Sequence, residues 1–364
     1  MKKGLKIVLS ILAVLLLIAF FTVKYISLQM GKAPDGKEFE HLSYYENGQF
    51  ISPEELVYFP ENKISYGGRT GWDRWIFRTA NVPKKPLPKI NLTKKSFAEQ
   101  PDSLAIYWLG HSSAIVEIAG KRLLIDPVFG NAGPFWGIAR RFCSPPLKRR
   151  DLPKIDYVVI THNHYDHLEY ATIRRLRKKN VHFIVPLGVD AHLRGWGVAP
   201  EKITRLGWED SFADEALKIT ALPAIHYSSR SRNDRNATLW VSYIFEGADK
   251  KVFWSGDAGY GDIYSDIGEK YGPFDVAAIE MDAWNPGWPN THFFPHEVIK
   301  VAEEIRTKII IPIHWAVFDL AMQPWDKSIK MLYELAQETD NIELATPMMG
   351  EKYIPGITQT TQWW

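Results

Sequence analysis

The chain reads as an α/β protein in which two β-sheets face each other and helices cover their outer surfaces. Two patterns carry that expectation. Short β-like apolar runs come first and then alternate with helix-like segments, the order expected when helices pack outside paired sheets. Four of the runs also end in histidine or aspartate clusters. Strands are rigid and deliver the residues that follow them to one sheet edge, so side chains distant in sequence can converge there.

Residues 1–30 read as a membrane anchor. Lys2, Lys3 and Lys6 precede an uncharged apolar run over 7–23 that Lys24 closes. Such a run lies at the short end of the roughly 17–25 residues that span a bilayer. A cleaved signal peptide ends in small residues, and Phe20-Phe21-Thr22-Val23-Lys24-Tyr25 offers no such site. An uncleaved helix is therefore expected. Its N-terminal lysines place that end in the cytoplasm and the catalytic domain on the extracytoplasmic side, although Lys24 and Lys32 flank the other end. Removing residues 1–30 is expected to leave the metal site intact.

Residues 31–102 form a connector and an N-terminal flank packed on the core. Tyr44, Tyr45, Tyr58, Phe59, Trp72, Trp75 and Phe77 argue against a floppy linker, and Pro83, Pro86 and Pro88 mark an extended stretch along the outside. Residues 103–355 form the catalytic domain. Strands are expected over 105–109, 114–119 and 122–126, the last two joined as a hairpin at Gly120-Lys121. Further strands are expected over 157–160, 183–186, 219–223, 239–245, 252–255 and 309–313. Helices are expected over 169–179, 263–271, 296–305 and 325–338, with Pro295 opening the third.

Composition narrows the classes. With 364 residues and 46% apolar content the chain can bury a large core. Its 44 basic and 42 acidic residues balance to +2, giving no reason to expect a nucleic-acid partner. A lone cysteine, Cys143, excludes an internal disulfide framework and a cysteine-rich zinc site, and reads as a packed residue.

The richest cluster is Thr161-His162-Asn163-His164-Tyr165-Asp166-His167. It offers too many ligands for one tetrahedral ion that keeps a position open for water. Dividing them puts His162, His164 and His226 on one ion and Asp166, His167 and His314 on another, with Asp257 as bridge. Two ions about 3.5–4 Å apart clamp the attacking and leaving oxygens of a displacement. Two Zn2+ ions are the expected cofactors, and iron or manganese could replace them.

His162-x-His164-x-Asp166-His167 with His226, Asp257 and His314 resembles the metallo-β-lactamase superfamily. Within it, several stretches resemble the N-acyl-phosphatidylethanolamine phospholipase D group. They include Trp108-Leu109-Gly110-His111-Ser112, Leu124-Ile125-Asp126-Pro127, Ser255-Gly256-Asp257-Ala258-Gly259-Tyr260 and Ile313-His314-Trp315. The resemblance covers roughly residues 72–344. It implies a four-layer αββα sandwich with the metal site at one edge between the sheets. It also implies a metal-dependent hydrolase cleaving a phospholipid or related phosphodiester. A lactonase acting on a sugar phosphate is the alternative within the enzyme class, and a non-catalytic envelope scaffold the alternative outside it.

Other residues carry narrower expectations. His111 reads as support for the site, and Asp126 as the acceptor for a ligand's second ring nitrogen. The family pattern places a histidine three residues before a proline, here His292, to hydrogen-bond the phosphoryl group or supply a proton, whereas His296 reads as an exposed helix-start residue. Arg230 or Arg232 could reach a phosphate, and Asp282 could alter substrate preference. Arg140, Arg141, Lys148, Arg149 and Arg150 face either lipid headgroups or solvent. Trp363-Trp364 is a membrane-interface or disordered tail.

Overall fold

The computed structural model describes residues 2–59, 81–99, 102–135 and 139–364. Trp72, Trp75 and Phe77 lie outside the described residues. Helix α1 (Lys2–Met30) leads the chain. Its Gly4–Met30 portion is long and apolar enough to cross a membrane, and residues 4–25 are exposed. A small hairpin, β1 (Tyr45–Glu46) with β2 (Gln49–Phe50), follows. Phe39, Tyr45 and Phe50 sink into the main core, so this flank is part of the folded body.

The first large sheet holds β3 (Leu104–Gly110), β4 (Ser113–Ile118), β5 (Lys121–Ile125), β6 (Tyr157–Val159), β7 (His182–Pro186) and β8 (Ile203–Leu206). The second holds β9 (Ser211–Ala213), β10 (Lys218–Leu222), β11 (Ser242–Gly247), β12 (Lys250–Trp254), β13 (Val276–Glu280), β14 (Ile309–Ile313) and β15 (Glu343–Leu344). Strand β16 (Lys352–Tyr353) then returns to the first sheet beside β3. Each sheet starts antiparallel and turns parallel, at β5–β6 in one and β12–β13 in the other.

Period-two side-chain alternation builds the layers. Leu104, Ile106 and Trp108 of β3 enter the core between the sheets. Ala105, Tyr107 and Leu109 enter a second core on the outer face, beneath α2 (Tyr170–Leu176) and α3 (Val189–Gly195). Helices α4 (Ile263–Tyr271), α5 (Pro295–Glu304) and α6 (Lys327–Glu338) lay Ile267, Val298 and Leu332 against the other sheet. The result is an αββα sandwich. Strands covered on both faces favour apolar residues at successive positions, which is why β6 and residues 276–279 of β13 read as unbroken runs.

Several expectations change. The β4–β5 turn centres on Ala119 and Gly120, both left-handed at φ 51° and 75°, the pair a two-residue hairpin of matching twist needs. The strand expected from residue 239 begins at Ser242. Leu239 and Val241 instead donate backbone N–H groups to Leu187 and Thr161 across the sandwich. The C-terminal tail is neither interfacial nor loose: the Trp363 ring stacks 5.1 Å from Trp315, and its indole donates to the Thr346 carbonyl at 3.1 Å. Residues beyond 355 therefore pack on the core as well. The basic run is partly internal, since Arg141 donates to the carbonyls of Val128 and Cys143, and Arg149 pairs with Glu169. Cys143 is buried and reduced, as expected.

Candidate metal centre

Strand ends deliver the site. His111 follows β3, residues 161–167 follow β6, His226 and Asp257 follow β10 and β12, His314 follows β14, and Glu280 ends β13. Two backbone bonds stitch the sheets together at this edge. His314 N–H donates to the His111 carbonyl at 3.0 Å, and His111 N–H to the Trp315 carbonyl at 3.2 Å. Both histidines are left-handed, at φ 55° and 70°, a conformation uncommon for residues bearing a Cβ. Gly256 is also left-handed; a Cβ there would stand 2.9 Å from the Val241 carbonyl and 3.1 Å from Thr161 Cβ. Glycine thus lets the β12 end approach the β6 loop.

Two ligand groups share Asp257. In the first, His162 Nε2 stands 2.9 Å from His164 Nδ1, which stands 3.4 Å from His226 Nε2. Asp257 Oδ2 lies 3.7 Å from both His162 and His226. In the second, Asp166 Oδ2 lies 3.7 Å from His167 Nε2 and 3.5 Å from His314 Nε2. Asp257 reaches this group too, at 3.1 Å from His167 and 3.0 Å from His314. The structure therefore brings together all seven residues expected from sequence.

These atoms fit metal ions. Tetrahedral zinc with ligands at about 2.0–2.1 Å separates neighbouring donors by about 3.3 Å, close to the spacings above. The buried atoms His167 Nε2, His314 Nε2 and Asp257 Oδ1 have no hydrogen-bond partner, an arrangement that is costly without a ligand. The other ring nitrogens are held as ligands require: Asp126 takes His167 Nδ1 at 2.7 Å, and the Thr291 carbonyl takes His226 Nδ1 at 3.0 Å. Asp126 also accepts the Thr161 N–H at 2.8 Å, so it orients the loop as well.

The electrostatics suit cation binding. Burial pushes the imidazoles of His164 and His226 down to about 3 and His162 well below its ordinary value, so all three are neutral donors. Burial opposes charge on His314 as well, but Asp257 and Asp166 outweigh it and hold that ring at about 10. For Asp257, burial raises the carboxyl while His167 and His314 lower it further, and they prevail. The cluster thus holds protons where cations would replace them.

His111 donates Nε2–H to Asp166 Oδ2 at 2.9 Å, supporting that carboxylate as expected. His292 Nδ1 lies 3.0 Å from Glu280 Oε1, which already accepts the N–H groups of Ala258 and Phe293. Nδ1 therefore carries the ring proton and Nε2 a lone pair. Burial pushes this imidazole down to about 4. Nε2 is therefore the ring nitrogen that faces a ligand in the cleft. His292 lines a cleft of about 430 Å³ with Tyr58, Tyr227, Arg235, Trp288 and Leu320, into which His164, Asp166, Asp257 and His314 also open.

Arg230 is the main correction. It is 4% exposed and its guanidinium is spent on backbone carbonyls, including Asn163 at 2.6 Å and Leu168 at 2.9 Å. It is buried away from the cleft, whose lining does not include it. Arg235, five residues on, occupies the cleft instead, 4.6 Å over the Tyr227 ring with Nη2 donating to Tyr58 Oη at 3.0 Å. Asp282 is also internal, accepting from Ser328 at 2.7 Å and Gln323 at 3.2 Å. His296 is exposed at the start of α5, as expected. Sequence reasoning missed Arg235 and Glu280. Glu280 had a signal, an acid closing the apolar run 276–279; Arg235 had none.

Comparison with known proteins agrees with this geometry. Residues 121–315 match the β-lactamase superfamily domain. An uncharacterized protein of Mycobacterium bovis is 34% identical over 332 residues, 88% of this chain and 87% of that protein. An N-acyl-phosphatidylethanolamine-hydrolyzing phospholipase D of Caenorhabditis elegans is 31% identical over 324 residues, 80% of this chain and 90% of the relative. Among solved structures, an isothiocyanate hydrolase from Delia radicum gut bacteria superposes with a TM-score of 0.54 at 17% identity, over 71% of this chain and 100% of that one. With its sandwich, its edge-mounted ligand clusters and these relatives, the chain belongs to the metallo-β-lactamase superfamily of metal-dependent hydrolases.

Proposed function

We propose that the protein is a membrane-anchored phosphodiesterase working with two zinc ions. Its proposed reaction is phospholipase D-type hydrolysis of an N-acyl-phosphatidylethanolamine or a related phospholipid. The observation that carries this reading is the cleft, which sets Arg235 and the ligand clusters against an apolar wall of Tyr58, Trp288 and Leu320. A diester head joined to acyl chains needs both. The worm relative's name points to the same substrate class.

His162, His164 and His226 would hold one ion, Asp166, His167 and His314 the other, and Asp257 both. Bound ions would lower the pKa of water towards ~7 and offset charge growing on the phosphoryl oxygens. Arg235 binds the diester phosphate through its guanidinium, whose orientation the Tyr227 and Tyr58 rings fix. The His292 lone pair accepts a hydrogen bond from water entering the cleft, and Glu280 holds the ring for that purpose. Oxygen from water joins phosphorus, the bond from phosphorus to the headgroup oxygen breaks, and the alcohol leaves with a proton from solvent.

The anchor is read as uncleaved, with residues 2–6 cytoplasmic and the domain on the extracytoplasmic side. Residues 24–30 rise about 10 Å along the helix, which keeps the metal edge close to the lipid headgroups. The test is a hydrolysis panel with purified full chain: phosphodiesters, lactones and β-lactams at equal concentration. Turnover is expected for N-acylated glycerophospholipid diesters, and a preference for lactones would replace this reading with the lactonase one.

A further inference from the structure

The last turn of α1 does not simply leave the domain. A helix end leaves carbonyls without partners, and here the domain satisfies them. The Trp196 indole donates to the Leu28 carbonyl at 2.8 Å. Arg230 donates Nη2 to the Gln29 carbonyl at 2.6 Å and Nε to the Met30 carbonyl at 3.3 Å. The other side of the same guanidinium donates Nη1 to Asn163 and Leu168, the carbonyls that bracket His164, Asp166 and His167. Its plane lies 4.0 Å over the Tyr165 ring of that loop. A buried cation facing carbonyls from two segments is a rigid, planar clamp, because each N–H direction is fixed.

The anchor side is built for this fit. Gly31 is left-handed at φ +75°, and its N–H closes the helix on the Ser27 carbonyl at 3.2 Å. A Cβ on Gly31 would stand 2.5 Å from His192 Nδ1 and 3.0 Å from the Trp196 ring. His192 in turn lies 3.3 Å from Asn163 Nδ2. Two routes therefore join the helix end to the ligand loop, one through Arg230 and one through His192.

We propose that the last turn of α1 is a structural part of the metal centre, and that Arg230 is the positioning residue that makes metal retention depend on the anchor being docked. This rests on reading His162, His164, Asp166 and His167 as metal ligands. It replaces the expectation that residues 1–30 can be lost without consequence for the site. It also gives Arg230 a role in place of the phosphate contact that its burial denies it.

The test uses full-length protein in detergent, loaded with zinc and challenged with a chelator, alongside thermal melting. Arg230→Gln removes the clamp, Arg230→Lys keeps the charge without the fork, and Gly31→Ala disturbs the turn, reaching the loop only through His192 and touching no candidate ligand. Partners that orient metal ligands are worth about ten- to a hundredfold in affinity. Zinc loss is therefore expected to be at least about tenfold faster in Arg230→Gln. Arg230→Lys should fall in between, and Gly31→Ala should show a smaller acceleration than Arg230→Gln. If Gly31→Ala and Arg230→Lys lower the melting temperature yet release zinc at the wild-type rate, the turn is only a structural contact and the proposal is overturned. If the wild-type protein itself retains no zinc, the ligand reading beneath it fails first.

Discussion

At the scale of single residues, Asp257 and Arg235 separate metal binding from substrate binding. Among the described residues, Asp257 is the carboxylate that reaches both ligand groups, through Oδ1 to His167 and Oδ2 to His314, His162 and His226. Asp257→Ala should therefore cut the metal content from two ions towards one and lower turnover by at least about a hundredfold. Elemental analysis of the purified variant beside wild type checks it. Arg235 touches no ligand, so Arg235→Ala should leave metal content unchanged. A hydrogen bond to a charged group contributes about 1.5–3 kcal/mol, so its loss should raise KM for the diester by about tenfold or more. Steady-state kinetics separates that outcome from a fall in kcat at constant KM, which would move Arg235 out of the binding role.

The residues that sequence missed or misplaced share one physical cause. The seven candidate ligands were legible because each follows an apolar run, and the run announces the strand that positions it. Arg230 and Arg235 lie in the same polar loop, and nothing local distinguishes them. Which one is buried depends on carbonyls contributed by α1 and by the 161–168 loop. Such partners are set by tertiary structure alone.

At the scale of elements, the strands of both sheets were legible where two-sided burial demands continuous Val, Ile and Leu. Strands β8 and β9 were not, since their half-exposed residues mix polar and apolar positions, and helix α3 was not because its buried residues include the polar Asp190 and His192. The β9–β10 connection also carries a contact between the sheets. Asp214 accepts from the Tyr157 hydroxyl of β6 and lies 3.0 Å from Lys121 of β5, besides taking the N–H groups of Ala216 and Leu217 at 2.8 Å. Burial pushes this carboxyl up, but the hydrogen bonds prevail and hold it below its ordinary 3.8. A depressed folded-state value means the contact stabilises above that pH and is lost as pH falls below it. Asp214→Asn should lower the melting temperature by about 2–4 °C at pH 6. The gap from wild type should close below pH 4. A gap that persists unchanged in acid would show that the charge is not what matters.

At the scale of the whole molecule, helix, flank and sandwich work as one unit. The apolar helix is long enough to cross a bilayer, the flank residues Phe39, Tyr45 and Phe50 join the main core, and the candidate ligand edge lies beside the helix end. The proposed orientation places the domain outside the cytoplasm. Protease added to intact spheroplasts should then digest it, and survival until lysis would reverse the topology. Anchoring should also favour substrate held in vesicles over the same lipid dispersed in detergent, because it raises local concentration.

The central claim is that water attacks phosphorus in a phospholipid diester at this metal edge. Hydrolysis of N-acyl-phosphatidylethanolamine in heavy-oxygen water, followed by mass spectrometry of both products, tests it most directly. The label is predicted in the phosphatidate and absent from the N-acylethanolamine. Label appearing in a carboxylate, or in the alcohol, would contradict it.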